Sequence, residues 1–144
     1  MKIRTNSAEE TADVGARLAE KLLSKGEKRA YVALFGEMGV GKTAFTSGFC
    51  GALGVTGVRS PTYTVVNEYR RGCVPVYHFD FYRVEDEDDL ASIGFEDYLR
   101  AGGFCLSEWS ENFRECIPQN AVRVTITRTD GENGREIEII GEEL

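Results

Sequence analysis

One octapeptide constrains this chain more than anything else in it. Gly36-Glu37-Met38-Gly39-Val40-Gly41-Lys42-Thr43 matches the pattern G-x-x-x-x-G-K-[ST], and it follows the apolar run Tyr31-Val32-Ala33-Leu34-Phe35. Glycines at those spacings let the backbone curl around a phosphate with its N–H groups pointing inward. A helix opening at Lys42 sets its positive N-terminal end against the same oxygens. Lys42 has the reach for β- and γ-phosphates, and the Thr43 hydroxyl is a ligand type for Mg²⁺. A glycine turn that binds nothing would not account for the lysine–threonine pair. The run before the loop reads as a strand buried on both faces, hence parallel to a neighbour. Strand, phosphate loop and helix together open an α/β unit.

The rest of the chain must fit around that unit. Its 144 residues are enough for one domain with a sizeable core, so residues 1–144 are read as a single domain. Seventeen Lys and Arg against 24 Asp and Glu leave a net charge of −7. Such a chain is a poor stand-alone binder of phosphate backbones, so any nucleic acid is expected to be held by another protein. Cys50, Cys73, Cys105 and Cys116 stand singly, without a C-x-x-C pair. They read as reduced thiols rather than a zinc or redox motif. No signal-peptide core or membrane-length apolar run is visible, which points to a cytoplasmic protein.

Local patterns predict the elements. Ser7-Ala8-Glu9-Glu10 is a capping box, and Ala12, Gly15 or Ala16, Ala19, Leu22 and Leu23 follow at helical spacing. They place a helix from Ala8 to Lys25, and Met1 to Asn6 runs straight into it. Phe45, Phe49 and Ala52 stripe a second helix, Lys42 to Leu53. Tyr63 to Tyr69 and Val74 to Phe81 read as strands joined by a turn at Arg70-Arg71-Gly72. The run Glu85 to Asp89 reads as an acid-rich helix start, favoured by the helix dipole, or as an acidic face for a basic partner. Phe104 to Trp109 reads as a further buried strand. Val122 to Thr127 and Glu136 to Ile139 alternate with period two, as a hairpin with one wet face.

A Mg²⁺ held through one threonine needs a carboxylate from a nearby strand end. Asp80 and Glu108 both qualify, because each follows an apolar run, and spacing alone leaves open which ligates directly. His78, the single histidine, reads as structural rather than catalytic. Ser60-Pro61-Thr62 is either a segment that senses the γ-phosphate or a turn into a strand. No N-K-x-D motif supports GTP, and no arginine finger is assignable, although Arg59 and Arg83 are candidates. Two other readings are a small-molecule kinase, against which the short chain argues, and a nucleotide-dependent binding module without essential hydrolysis.

The motifs taken together resemble the TsaE (YjeE) family. The carriers are G-E-M-G-V-G-K-T, S-P-T-Y-T-V-V-N-E-Y from Ser60 to Tyr69, Y-H-F-D-F-Y-R from Tyr77 to Arg83, I-G-F-E-D-Y from Ile93 to Tyr98, and L-S-E-W from Leu106 to Trp109. The resemblance implies a P-loop NTPase-like three-layer α/β sandwich with a mixed sheet of parallel and antiparallel strands. It implies a cytosolic bacterial ATPase, weak alone, that uses ATP and Mg²⁺ in making threonylcarbamoyladenosine beside tRNA anticodons. Its implied partners are homologues of TsaB and TsaD as a heterodimer, with tRNA met only through them. By the family's pattern Thr43 and Glu108 ligate Mg²⁺, and Asp80 lies near the metal and γ-phosphate, with Lys42, Asp80 and Glu108 as the catalytic set. Nucleotide contacts fall to Thr11, Glu37, Met38, Gly39, Val40, Gly41, Lys42, Thr43, Ala44 and Trp109. Two residues depart from the pattern: Ser107 stands where a branched aliphatic is usual, and Ser110 where proline is frequent.

Overall fold

The computed structural model describes residues 1–37, 39–59 and 64–144. Seven strands form one sheet in the order β1-β7-β6-β2-β5-β4-β3. Strand β2, Ala30–Phe35, lies at its centre, parallel to β5 (Phe104–Glu108) on one side and to β6 (Val122–Arg128) on the other. Strand β4, Val76–Asp80, continues the parallel set beyond β5, and β3, Val66–Tyr69, closes that edge antiparallel to β4. On the far side β7, Arg135–Ile140, pairs antiparallel with β6 and with β1, Lys2–Thr5. The expected mixed sheet of an α/β sandwich is the one formed.

Strand parity divides the core in two. Val32, Leu34, Val76, Phe104 and Leu106 join one cluster, with residues of α1 (Ala8–Ser24) and α2 (Lys42–Ala52). Tyr31, Ala33, Phe35, Tyr77, Phe79 and Cys105 join the other, with α3 (Glu87–Ser92), α4 (Phe95–Arg100) and the 3-10 segment Ser110–Cys116. Alternate side chains leave a strand on opposite faces, so helices on both sides of a doubly buried sheet follow from these apolar runs. Even-numbered positions of β2, β4 and β5 therefore face α1 and α2.

The capping box works as read: the Glu10 N–H donates to Ser7 Oγ at 3.1 Å, and the Asn6 N–H donates to Glu10 Oε1 at 3.3 Å. The buried stripe of α1 is Thr11, Val14, Gly15, Leu18, Ala19 and Leu22, rotated from the expected alanine-rich one. Polar Thr11 belongs to it because its hydroxyl pairs with Thr5 Oγ1 at 2.8 Å. On α2, Phe45 and Phe49 are buried as expected, with Thr46 and Cys50 rather than Ala52. The two helices touch backbone to backbone. A Cβ on Gly48 would overlap the Ala12 carbonyl, and one on Gly15 would overlap that of Phe45.

Several boundaries differ from expectation. The chain start forms β1, which has no sequence signal because its order comes from pairing with β7. Strand β3 begins only at Val66; Val65 has φ of 66°, a left-handed conformation that breaks a strand. The β3–β4 connection is longer than a tight turn and runs from Arg70 to Pro75. Strand β4 ends at Asp80, whose carboxylate accepts from the Tyr82 N–H at 2.9 Å and starts the 3-10 turn Phe81–Arg83. Asp86 caps α3, so the acid run does sit at a helix start. Helix α4 was not expected; Gly94 opens it without a side-chain cap. All four cysteines are free thiols.

Candidate functional site

The phosphate loop leaves the C-terminal end of the central strand. The backbone path from β2 runs over α2 toward β4 and β3, whereas β5 exits toward β6 on the opposite side. That divergence makes the ends of β2 and β5 a topological switch point, where open α/β sheets bind ligands. Gly39 and Gly41 take φ values of 78° and 115°, which side-chain-bearing residues rarely adopt. Gly41 is the N-cap of α2 and offers no side-chain acceptor, so the first N–H groups of that helix are left to an external anion.

Lys42 begins α2 and is buried, with only 6% of its surface exposed. Its Nζ donates to Gly36 O at 2.8 Å and lies 4.2 Å from the centre of the Trp109 ring. An ammonium over an indole face is held by the ring quadrupole. Trp109 itself packs on Tyr82 with centroids 5.0 Å apart. It directly follows β5 and has φ of 56°, a sharp turn at the strand end. Thr43 is exposed in the first turn of α2.

Asp80 and Glu108 end β4 and β5 at paired positions of the parallel register, and both are buried. Both are even-numbered, so they face α2 and its phosphate loop. Asp80 Oδ1 caps the 3-10 turn, and Glu108 Oε2 lies 2.6 Å from His78 Nε2. His78, read from the sequence as structural rather than catalytic, thus contacts a carboxylate of the site. The donor set of Thr43, Asp80 and Glu108 is all oxygen, the chemistry Mg²⁺ prefers. Among the described residues no three His, Cys, Asp or Glu side chains gather closely enough to hold a cation unaided. A Mg²⁺ there fits only as an ion shared with phosphate oxygens, its usual mode.

Thr11 does come to the loop. With Ser7, Ala8, Gly39, Val40, Gly41, Ala44, Asn133 and Arg135 it lines a cleft of about 220 Å³. Glu37 lines a second cleft, about 380 Å³, with Glu111, Arg114 and Arg128. A larger cleft of about 510 Å³ between α3, α4 and the Ser110–Cys116 segment contains none of the loop residues. Met38 and Ser60-Pro61-Thr62 lie outside the described residues. Arg59 and Arg83 are both exposed.

Two supports of the loop had no sequence signal. The Gly36 N–H donates to Glu111 Oε2 at 2.9 Å, and Arg135 Nε donates to Val40 O at 2.8 Å. The partners are 75 and 95 residues apart, so no local pattern could reveal them. The Arg128 guanidinium lies against Gly39, where a Cβ would come within 3.1 Å of it.

Comparison with known proteins decides the family. The sequence profile described as Threonylcarbamoyl adenosine biosynthesis protein TsaE matches residues 5–137. The chain belongs to the TsaE family. It is similar to the Bacillus subtilis tRNA threonylcarbamoyladenosine biosynthesis protein TsaE, 40% identical over 138 residues, 95% of this chain and 83% of that one. The Haemophilus influenzae TsaE is 40% identical over 130 residues, 89% of this chain and 81% of its own. A crystal structure of Bacillus subtilis YdiB superposes with a TM-score of 0.76 at 34% identity, covering 95% of this chain and 82% of that one. As a TsaE protein, this chain is a nucleotide-binding member of the tRNA threonylcarbamoyladenosine pathway.

The two departures from the TsaE pattern are partners of each other. Ser107 Oγ and Ser110 Oγ lie 2.8 Å apart, and Ser110 Oγ also donates to Ser107 O at 3.0 Å. Both are fully buried. The pair pins the two ends of the turn that presents Glu108 and Trp109, so here hydrogen bonds brace a turn that proline would otherwise stiffen.

Proposed function

We propose that this chain binds and hydrolyses ATP with Mg²⁺, and that it does so for a complex of TsaB and TsaD homologues that carries out the tRNA modification. One observation carries the reading. Lys42, at the N-terminus of α2, contacts Trp109, which directly follows Glu108, and Glu108 pairs with Asp80 at adjacent strand ends where both carboxylates are buried. Loop N–H groups from Gly39 to Thr43 would hold phosphate oxygens, with Lys42 supplying the charge. Mg²⁺, when bound, supplies neutralisation of the transferring phosphoryl group. Thr43 and Glu108 are its proposed ligands, and Asp80 is proposed to orient water and accept its proton. The cleft beside Gly39 to Gly41 supports Thr11 and Ala44 as nucleotide contacts, and the opposite cleft supports Glu37. Met38 joins them by its place in the motif, and Trp109 by its contact with Lys42.

The net charge of −7 supports a protein that leaves tRNA to its partners. Turnover by the isolated chain is expected to be weak, with a partner completing the site. The test has two parts. Lys42→Ala removes a charge-assisted contact of about 1.5–3 kcal/mol, so ATP affinity should fall tenfold or more in calorimetry. In a reconstitution with TsaB and TsaD homologues, ATP should make the three proteins co-migrate, and repeated rounds of tRNA modification should require hydrolysis. Unchanged affinity of the Lys42→Ala protein, or multiple rounds without this chain, would reject the proposal.

A further inference from the structure

We propose that His78 is a positioning residue: its imidazole holds one oxygen of the Glu108 carboxylate and sets the other foremost to meet a cation, and it thereby favours Mg²⁺ over Ca²⁺. The inference rests on the reading of Glu108 as a metal ligand and goes beyond it. His78 lies on β4, two residues before Asp80, and faces α2 by the same parity as Asp80 and Glu108. Its register partner on β5 is Leu106, which makes Glu108 its diagonal neighbour one step further along the strand. A diagonal pair on one sheet face is within reach of long side chains. Here the reach ends in a 2.6 Å contact between Nε2 and Glu108 Oε2.

With Glu108 ionised, the carboxylate is an acceptor only, so Nε2 carries the hydrogen and donates it. The ring is 2% exposed, and its other nitrogen, Nδ1, has no hydrogen-bond partner. Buried polar atoms are nearly always paired, so an unpaired Nδ1 costs desolvation that a phenyl ring in the same space would avoid. The contact with Glu108 is what the imidazole provides in return. Imidazole and carboxylate together form the arrangement by which outer residues orient metal ligands.

The consequence is geometric. Glu108 and Asp80 sit side by side at paired strand ends, and Oε2 of Glu108 is engaged by His78. One lone pair of Glu108 Oε2 is taken by His78, which restrains rotation of the carboxylate and disfavours its presenting both oxygens to one ion. Ca²⁺ takes six to eight oxygens and readily uses carboxylates through both, whereas Mg²⁺ keeps an octahedron and takes single oxygens. Removing the His78 donor frees Glu108 to rotate and to chelate.

The test uses the full chain with ADP as the probe nucleotide and Mg²⁺ or Ca²⁺ as the probe ion. Trp109, the single tryptophan and a neighbour of Lys42, reports binding by fluorescence. His78→Phe should weaken Mg²⁺ binding to the ADP-loaded protein about 10–100-fold. It should narrow the preference for Mg²⁺ over Ca²⁺ and leave ADP affinity in EDTA unchanged. His78→Gln, which keeps an N–H donor, should recover most of the Mg²⁺ affinity. A folded His78→Phe protein with wild-type Mg²⁺ affinity, or equal losses in the Phe and Gln variants, would overturn the positioning role alone. Wild-type ADP binding that ignores Mg²⁺ would overturn the metal reading of Glu108 and this role with it. A measurement without mutation guards against misfolding. Nitrogen-15 spectra of the lone histidine should show the hydrogen on Nε2, and an unprotonated Nε2 would overturn the proposal.

Discussion

On one face of the sheet, two long helices lie backbone to backbone over a mainly aliphatic core that includes Phe45, Phe49 and Phe104. On the other, three short helical pieces cover a layer of aromatic rings. Val14, Leu18, Leu34, Leu106, Val124 and Ile126 typify the first face; Tyr31, Phe79, Phe81, Phe95 and Phe113 typify the second. The rings meet edge on, with Phe95 against Tyr31, Phe79 and Phe81 at centroid distances of 6.1, 5.2 and 5.6 Å. The difference follows from what each face must hold. The α1–α2 face carries the phosphate loop, Asp80 and Glu108, and there the position of α2 sets the site. Glycines at the helix crossing make that position rigid, because nothing flexible separates the two backbones. The aromatic face carries none of the proposed metal ligands, although Trp109 packs against it, and bulky rings can fill it beneath helices of six residues.

The comparison can be broken by mutation. Phe95→Ala on the aromatic face should cost about 3–5 kcal/mol in urea unfolding, with nucleotide affinity of the folded protein unchanged. Gly48→Ala on the other face should cost about 1–3 kcal/mol, because the Ala12 backbone must yield. That variant should also weaken nucleotide binding, since displacing α2 displaces Lys42 and Thr43. Equal effects of the two variants on ADP affinity would erase the functional distinction between the faces. Arg135→Ala removes the bond to Val40 O; it should cost about 1 kcal/mol of ADP affinity, roughly fivefold, in calorimetry.

The smallest effect sharpens the comparison. Cys50 lies in the aliphatic core and Cys105 in the aromatic one, and burial pushes both thiols up to about 12. Exposed Cys73 should react first with a thiol reagent at pH 8. If the short helices open more readily than the α1–α2 pair, Cys105 should be labelled before Cys50. The same burial gives a pH dependence. In the unfolded chain these thiols ionise near 9, whereas in the folded chain they stay protonated to about 12. The folded state thus binds more protons in that window, and stability should fall as pH rises from about 9 to 12. Thermal melts across that range, with and without Cys50→Ala, test the sign.

Legibility followed the range of the signal. The Ser7 capping box, the strand before Gly36, the helix opening at Lys42 and the alternation of β6 and β7 are each written within a few residues, and each formed where it was read. Strand β1 was silent because its partner lies across the chain, with Lys2 opposite Glu138. Helix α4 was silent because six residues opened by an uncapped glycine carry too little periodicity. At the site, residue types and strand-end positions were legible in Lys42, Thr43, Asp80 and Glu108. Their supports from Glu111 and Arg135 were not.

By itself, then, the sequence determined the phosphate loop, the parallel centre of the sheet and the family, because backbone conformation and strand burial are set by neighbours along the chain. Only the tertiary structure decided that His78 grips Glu108, that Ser107 meets Ser110, and that an arginine from the last strand holds the loop. Those contacts depend on strand order and on which parity faces α2, and both are settled by packing between segments that the chain itself keeps far apart.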